Sequence, residues 1–421
     1  MYLETSEKLL TFLDNSPSCF HAVDNIKHFL ISSGYTALRE DEKWEIKNGG
    51  KYFVTRNDSS LIAFTIPEVG IDAFNITATH SDWPTFKIKE NPENCDDKYA
   101  RLNVEPYGGG IYSTWLDRPL SVAGRVLFKE NGKYVTKLVY VDRDLLMIPS
   151  LAIHMNRKAN EGYKLDLKKD LLPIFGSAEA DDLFMEQIAE SAVVNKNDIL
   201  GHDLFLCERT GSRVWGVCDE FISSGRIDNL QCTFATLMGF IMAKKEQSGA
   251  MFCVFDNEEV GSSTKQGADS TFLQTVLERI AFSLGMTDED FKIAIAKSFM
   301  VSADNAHAYH PAHGEVADGK NSPLINGGVV IKFNANQKYC TDGVSAAIFK
   351  DICNEAEVPY QIYTNPADMP GGSTLGNISN THISLNTVDV GLPQLAMHSA
   401  YETAGIKDTV YMIKAISKFF K

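Results

Sequence analysis

The chain has 421 residues, 44% of them hydrophobic, which is more than one small core requires, so two domains are expected. Its net charge of -15 argues against nucleic acid or an anionic membrane surface as the main partner. No apolar run is long enough to span a bilayer.

The first segment reads as two helices. Leu9, Leu10 and Leu13 form one apolar stripe and Phe20, Val23, Ile26, Phe29 and Leu30 a second, with Ser16-Pro17-Ser18 between them and Gly34 closing the second. Strand patterns follow at Tyr52 to Thr55, Ser60 to Ile66 and Ala73 to His80; in the last, Phe74, Ile76, Ala78 and His80 share a face. The texture changes near Glu90. Turn clusters at Asn91-Pro92-Glu93-Asn94 and Tyr107-Gly108-Gly109-Gly110 bracket a stretch of short β-like runs, among them Leu120 to Phe128 and Tyr134 to Tyr140. The glycine run reads as a domain-junction turn rather than part of a site. A charged, less patterned zone covers roughly Asn156 to Asp170.

From about Val214, apolar strands and amphipathic helices alternate. The pattern predicts helices over Gln231 to Lys244, Thr271 to Leu284, Ala346 to Glu357 and Thr409 to Phe420, the last with Asp408 as its cap. It predicts strands over Met251 to Phe255, Gly328 to Phe333 and Gln361 to Thr364, and mainly strand over Ile293 to Ala303. Such alternation implies an α/β domain whose mixed sheet is flanked by helices on both faces, interrupted by a β-rich insert.

The eight cysteines are scattered without a C-x-x-C pair, and several lie inside apolar runs, as Cys253 does in Met-Phe-Cys-Val-Phe. Together with an N-terminal stretch that lacks the features of a secretion signal, free thiols predict a cytoplasmic location.

Chemistry concentrates in five segments. Glu258 and Glu259 follow the strand Met251 to Phe255, where neighbouring side chains point opposite ways, so one carboxylate can bind a metal while the other handles a proton. His80 ends a strand with Asp82 two residues on, Asp228 precedes a helix, Asp304 ends Phe299-Met300-Val301-Ser302-Ala303, and His398 follows Leu395-Ala396-Met397. Ligands at the carboxyl ends of sheet strands converge on one crevice. Two histidines and three carboxylates without a thiolate suit two divalent ions that share a carboxylate.

The stretches His80-Ser81-Asp82-Trp83-Pro84, Arg226-Ile227-Asp228-Asn229-Leu230, Asp256 to Ser262, Ser302 to His307 and Gln394 to Ser399 closely resemble the M18 family of metallo-aminopeptidases, in the right order and over almost the whole chain. The resemblance implies a metallopeptidase-type fold divided into a discontinuous catalytic domain, residues 1–90 and 217–421, and an inserted β-rich dimerisation domain, residues 91–216. It implies a hydrolase with two zinc ions per subunit, manganese or cobalt being possible substitutes. His80 and Asp304 would bind one ion, Glu259 and His398 the other, and Asp228 both. Glu258 would be the general base, passing a proton from the water between the metals to the leaving amine, and Asp82 would accept a hydrogen bond from His80. A cis peptide is expected at Asp228-Asn229. His307, Lys332 and Tyr339 would contact substrate, and Lys332 could hold the side chain of an N-terminal Asp or Glu. Glu258 or Asp304 would hold the free α-amine. His154 would reach the site of a neighbouring subunit and help stabilise the tetrahedral intermediate, in dimers that build a dodecamer. Trp83 stands where the family usually has a small polar residue, and is expected to narrow the pocket near His80.

The resulting expectation is a dinuclear zinc aminopeptidase that removes N-terminal residues, preferably Asp or Glu, from peptides. The alternatives are the same chemistry with a neutral or broad preference, a metal-dependent carboxypeptidase or deacylase on the same fold, and a non-catalytic scaffold.

Overall fold

A computed structural model describes residues 1–244 and 248–421. A nine-stranded mixed sheet runs in the spatial order Thr36–Leu38, Lys51–Arg56, Ser60–Thr65, Gly249–Phe255, Phe74–His80, Phe299–Ala303, Asn386–Gly391, Val329–Phe333 and Tyr360–Thr364. The four middle strands from Gly249–Phe255 to Asn386–Gly391 are parallel, with Phe255 level with His80 and Ser302 level with both Ala78 and Asp389. Their carboxyl ends therefore open on one edge of the sheet, and the residues that follow them meet there.

Alternation along the buried strands feeds two cores. Phe252 and Val254 face the helices Tyr2–Asp14, Cys19–Ser32, Ile227–Met242, Gly343–Glu355 and Asp408–Phe419, while Met251, Cys253 and Phe255 face Phe272–Ser283, Asp288–Lys297 and Leu375–Ser379. The expected helix–sheet–helix layering is present.

A second sheet, entirely antiparallel, has the order Lys133–Tyr140, Leu120–Glu130, Ile199–Glu208, Thr85–Glu93, Tyr99–Tyr107 and Ile174–Ser177. It carries its own apolar core, with Phe86, Trp115, Leu120, Phe184 and Leu204 among the buried residues. A third, five-stranded sheet joins Arg213–Trp215, Phe221–Ser224, Glu402–Gly405, Pro393–Leu395 and Ala306–His307 beside the edge where the site lies. Among the described residues no helix is long and apolar enough to cross a membrane.

Three readings need correction. Residues Ile293 to Ala303 are not mainly strand: a helix spans Asp288–Lys297 and the strand begins at Phe299. Thr287 caps that helix by accepting from the Asp290 amide, and Asp290 accepts in return from the Thr287 amide. The Ile-Ala-Ile-Ala repeat within the helix mimics strand alternation, although only Ala294 is fully buried. Asp408 does not cap the last helix; it lies inside its first turn, where its buried carboxylate accepts from the amides of Asn326 and Gly328. The central strand Asn386–Gly391 escaped notice because Asp389 interrupts its apolar pattern. That carboxylate is buried and accepts from Thr374 Oγ1 and the Cys340 amide, which explains how a central strand carries it.

Candidate metal centre

The parallel strands deliver His80 and Asp304 to the sheet edge, and the acidic pair follows as a short 3-10 turn at Glu258–Val260. Asp228 lies where the helix Ile227–Met242 starts irregularly: Asp228 and Asn229 depart from helical backbone angles and the peptide bond between them is cis, as expected. His398 arrives from a turn beyond the strand Pro393–Leu395.

The five expected ligands sort into two trios that share Asp228. On one side, His80 Nε2 lies 3.6 Å from Asp228 Oδ1 and 3.5 Å from Asp304 Oδ1. On the other, His398 Nε2 lies 3.6 Å from Asp228 Oδ2 and 3.4 Å from Glu259 Oε2. Zinc binds nitrogen and oxygen at about 2.0–2.1 Å, so the edge of a tetrahedron of ligands around it is roughly 3.3–3.4 Å. The distances in both trios are close to that edge. Asp228 Oδ1 and Glu259 Oε1 are buried without a hydrogen-bond partner in the protein, an arrangement that costs stability unless a cation completes it.

Both imidazoles are oriented for this duty. His80 Nδ1 is 3.1 Å from the carbonyl oxygen of Asp82 and His398 Nδ1 is 2.8 Å from that of Gly109. A carbonyl only accepts, so each Nδ1 carries the hydrogen and each Nε2 presents its lone pair to the shared carboxylate.

The charges also favour a cation. Desolvation in the cleft pushes Glu258 up to about 8; His80 pulls it down, while Asp304, Asp82 and Asp228 add to the rise. Desolvation and Asp228 drive Glu259 well above the ordinary carboxylate range. Asp304 goes the other way: burial would raise it, but Lys332 and His80 hold it low. Burial opposes the charged form of His398, yet Asp228 and Glu259 raise it to about 10. Carboxylates that keep protons and imidazoles that gain them mark a pocket short of positive charge.

One cleft of about 190 Å³ is lined by His80, Asp228, Glu258, Glu259, Asp304, His307, Lys332, Tyr339 and His398. A carboxylate oxygen of Glu258 lies within 4.8 Å of ligand atoms of His80 and Glu259, beside both trios. Lys332 is buried, donates to the Asn305 carbonyl at 2.9 Å and lies 3.4 Å from Asp304 Oδ2. His307 stands exposed at the rim. Gly372, Ser373 and Thr374 also line the cleft.

Two expected residues lie outside this lining. Asp82 sits beneath it and does more than face His80, whose Nδ1 is 3.4 Å from Oδ1: its carboxylate accepts from the amides of Glu258 and Glu259, at 3.2 Å each, and from the Tyr107 hydroxyl at 2.6 Å. His154 is exposed on the inserted segment and does not line this chain's own cleft.

Trp83 does not narrow the pocket near His80. It lines a separate cavity with Phe20, Lys87, Tyr107 and Phe205 and is absent from the lining of the cleft that holds His80. The reading of Tyr107 to Gly110 as a plain junction turn is also corrected, since Tyr107 and Gly109 hold Asp82 and His398. Glu402 was missed altogether. It is buried, accepts from the amides of Asp228 and His398 at 3.0 and 2.8 Å, and is raised by burial and Asp228 to about 8. Only its position four residues after His398 hinted at this, and no pattern of residue types singles it out.

Comparison with known proteins finds matches along the whole chain. A family model described as Aminopeptidase I zinc metalloprotease (M18) matches residues 12–420. A probable M18 family aminopeptidase 2 of Clostridium novyi is 46% identical over 427 aligned residues, covering 99% of each chain. Its namesake in Pseudomonas aeruginosa is 39% identical, covering 100% of this chain and 99% of that protein. Among solved structures, a chain from the cryo-EM structure of the Ape4 and Nbr1 complex matches with a TM-score of 0.97 at 36% identity, over 100% of this chain and 86% of that one. A chain of the S. cerevesiae mApe1 dodecamer matches with a TM-score of 0.87 at 26% identity, over 100% and 97%.

Proposed function

The chain belongs to the M18 family of aminopeptidases and is a zinc metallopeptidase, and from that premise we propose that it is a dinuclear enzyme that removes N-terminal Asp or Glu from peptides with Glu258 as general base. The observation that carries the two-ion reading is the division of Asp228, one oxygen toward His80 and Asp304 and the other toward His398 and Glu259. Ions held there would supply Lewis acidity toward a scissile carbonyl and acidify water.

The remaining steps belong to side chains. Glu258 projects beside both trios without being needed in either, which suits a carboxylate that takes a proton and returns it to the departing amine. Asp82 holds the amides of both glutamates and so fixes the angle between base and ligand. Glu258 or Asp304 would receive a free α-ammonium, which would restrict cleavage to the chain end.

The acidic preference rests on Lys332. An ammonium has three donors; one goes to the Asn305 carbonyl and Asp304 competes for a second, which leaves one for a substrate carboxylate inside the cleft. Tyr339 lies beside it, with the ammonium 5.4 Å from the ring centre, and His307 guards the rim. The free thiols support a cytoplasmic location.

Self-association completes the reading. Residues 91–216 are assigned as the dimerisation domain inserted between catalytic segments 1–90 and 217–421. Leu151, Ile153 and Met155 are exposed around His154, a contiguous apolar stretch that suits burial against a second copy. His154 would then serve the partner's cleft, in an assembly of the dodecameric kind described for mApe1.

An activity panel tests the whole reading. After chelation and stepwise zinc addition, aminoacyl-nitroanilides of Asp, Glu, Leu and Lys should be cleaved only with metal and fastest for Asp and Glu. Turnover by fully chelated protein would defeat the metal chemistry. Equal turnover of Leu would defeat the acidic preference alone, and cleavage of N-blocked peptides would point instead to a deacylase.

A further inference from the structure

The two trios are supported differently. His80 and Asp304 extend directly from parallel strands of the large sheet. Glu259 and His398 follow turns, and a single segment that leaves the inserted sheet holds both of them. The strand Tyr99–Tyr107 ends on Tyr107, whose hydroxyl donates to Asp82 Oδ2 at 2.6 Å and accepts from Asn257 Nδ2 at 2.8 Å. Asp82 Oδ2 in turn accepts from the Glu259 amide. Two residues on, the Gly109 carbonyl accepts from His398 Nδ1, and the Ile111 amide donates to the His398 carbonyl at 2.9 Å. Between them Gly108 has φ +73°, and a Cβ there would lie 3.1 Å from Cβ of Glu259, so the segment passes directly against this ligand.

We propose that Tyr107 is a positioning residue through which the inserted sheet sets the Glu259–His398 half of the metal centre and leaves the His80–Asp304 half to the large sheet. The proposal rests on the two-ion reading given above. The Tyr107 ring packs edge-on against Phe205 of the inserted sheet, with ring centres 5.5 Å apart, which seats its hydroxyl on that sheet; His80, although 3.4 Å from Asp82 Oδ1, is oriented by the Asp82 backbone carbonyl at 3.1 Å, which the hydroxyl does not touch. A cavity of about 270 Å³ borders the ring, and the hydroxyl's hydrogen bonds to Asp82 and Asn257 fix its direction. Those bonds decide where the carboxylate of Asp82, and with it the acidic turn, comes to rest.

Tyr107→Phe in the full-length chain tests this. Zinc titration calorimetry of the metal-free protein should show two ions in wild type. In the variant, one ion should weaken about 10- to 100-fold, the range for partners that orient metal ligands, and the other should be unchanged. At limiting zinc, kcat should fall by a similar factor with KM within twofold. The visible absorption of the cobalt-loaded protein should change for the weaker site only. These readouts separate positioning from general loss of folding, which the melting temperature of the metal-free protein reports. Should Tyr107→Phe not fold, Asn257→Asp replaces the donor to the Tyr107 hydroxyl by a competing acceptor, keeps the side chain's shape, and should give the same selective loss. Wild-type protein that takes up a single ion would defeat the two-ion reading itself. Two ions bound with wild-type affinities in the variant, or both weakened alike, would overturn the role of Tyr107 and leave that reading intact.

Discussion

Replacing Asp228 by asparagine keeps the outline of the side chain and removes the charge that both trios share. Its oxygens lie 3.6 Å from His80 Nε2 and 3.6 Å from His398 Nε2, so this one carboxylate faces both histidines. Two unit charges about 4 Å apart interact by about 4 kcal/mol at an effective dielectric constant of 20, so even this understated figure for a divalent ion corresponds to roughly a thousandfold in affinity. Zinc at about 100 times its dissociation constant stabilises a folded protein by about 2.7 kcal/mol per site. For 421 residues the entropy of unfolding is about 0.9 kcal/mol/K, so each bound ion raises Tm by about 3 °C. Wild type should therefore gain about 6 °C when zinc is added to chelated protein. His398→Ala should gain about 3 °C and retain one ion, and Asp228→Asn should gain nothing at the same zinc concentration. Differential scanning fluorimetry and elemental analysis of the same samples read both quantities. An Asp228→Asn protein that kept two ions and the full shift would show that the carboxylate is not a ligand. Behaviour identical to His398→Ala would show that it serves only one ion.

Glu258→Gln should retain both ions by elemental analysis and lose about 10²- to 10⁴-fold in kcat, the range for a positioned proton-transfer group; turnover within tenfold of wild type would remove the base assignment. Lys332→Met should lower the ratio of Asp to Leu turnover by about 10- to 100-fold, equivalent to the roughly 1.5–3 kcal/mol of a charged hydrogen bond, and an unchanged ratio would separate Lys332 from specificity. Metal-free protein should lose stability as pH rises. Glu258 and Glu402 keep their protons to about 8 when folded but release them near 4.5 in an unfolded chain. Between those values the folded state binds more protons, so stability falls with pH and then levels. His398, raised from 6.5 to about 10, extends the decline upward by the same logic. Thermal melts from pH 5 to 9 without metal should show the fall, zinc should flatten it, and a metal-free Tm that climbs between pH 6 and 8 would contradict it. His154→Ala should slow turnover with metal content unchanged, and mixing it with Glu258→Gln subunits should restore part of the activity if His154 serves a neighbour's cleft.

Much of this was legible before any coordinates. The strands bearing His80, Glu258 and Asp304 announce themselves because apolar runs end on polar residues, and parallel register then brings those ends together without further information. Asp228, just before a helix, and His398, after the short run Leu395-Ala396-Met397, stood out beside them as candidates, and the family resemblance supplied their roles. Sequence reading failed where a polar group is buried for support. Asp389 hid a central strand, Asp408 looked like a cap, and Glu402 looked like any surface glutamate, although each is fully enclosed and accepts backbone amides. Tyr107 and Gly109 were missed for a related reason: their partners, Asp82 and His398, lie 25 and 289 residues away. Trp83 was misdirected because sequence gives the neighbour of His80 but not the side of the backbone on which its indole falls.

These supporting groups share one energetic logic. Asp228, Glu259 and Asp304 crowd into a cleft in which Lys332 is the one lysine or arginine among the described lining residues, and the Glu402 carboxylate accepts from the Asp228 amide. Their directions are fixed through the backbone: supporting carboxylates accept from the amides of the residues that carry the site. The Asp228 amide is held by Glu402, the amides of Glu258 and Glu259 by Asp82, and the His398 amide by Glu402 again. Two carboxylates thus anchor four backbone amides of the site, and neither lines the cleft itself. A cation entering it meets side chains whose directions are already fixed, so its binding need not reorganise the protein, and the cost of holding so much negative charge together is borne by the fold before the ion arrives.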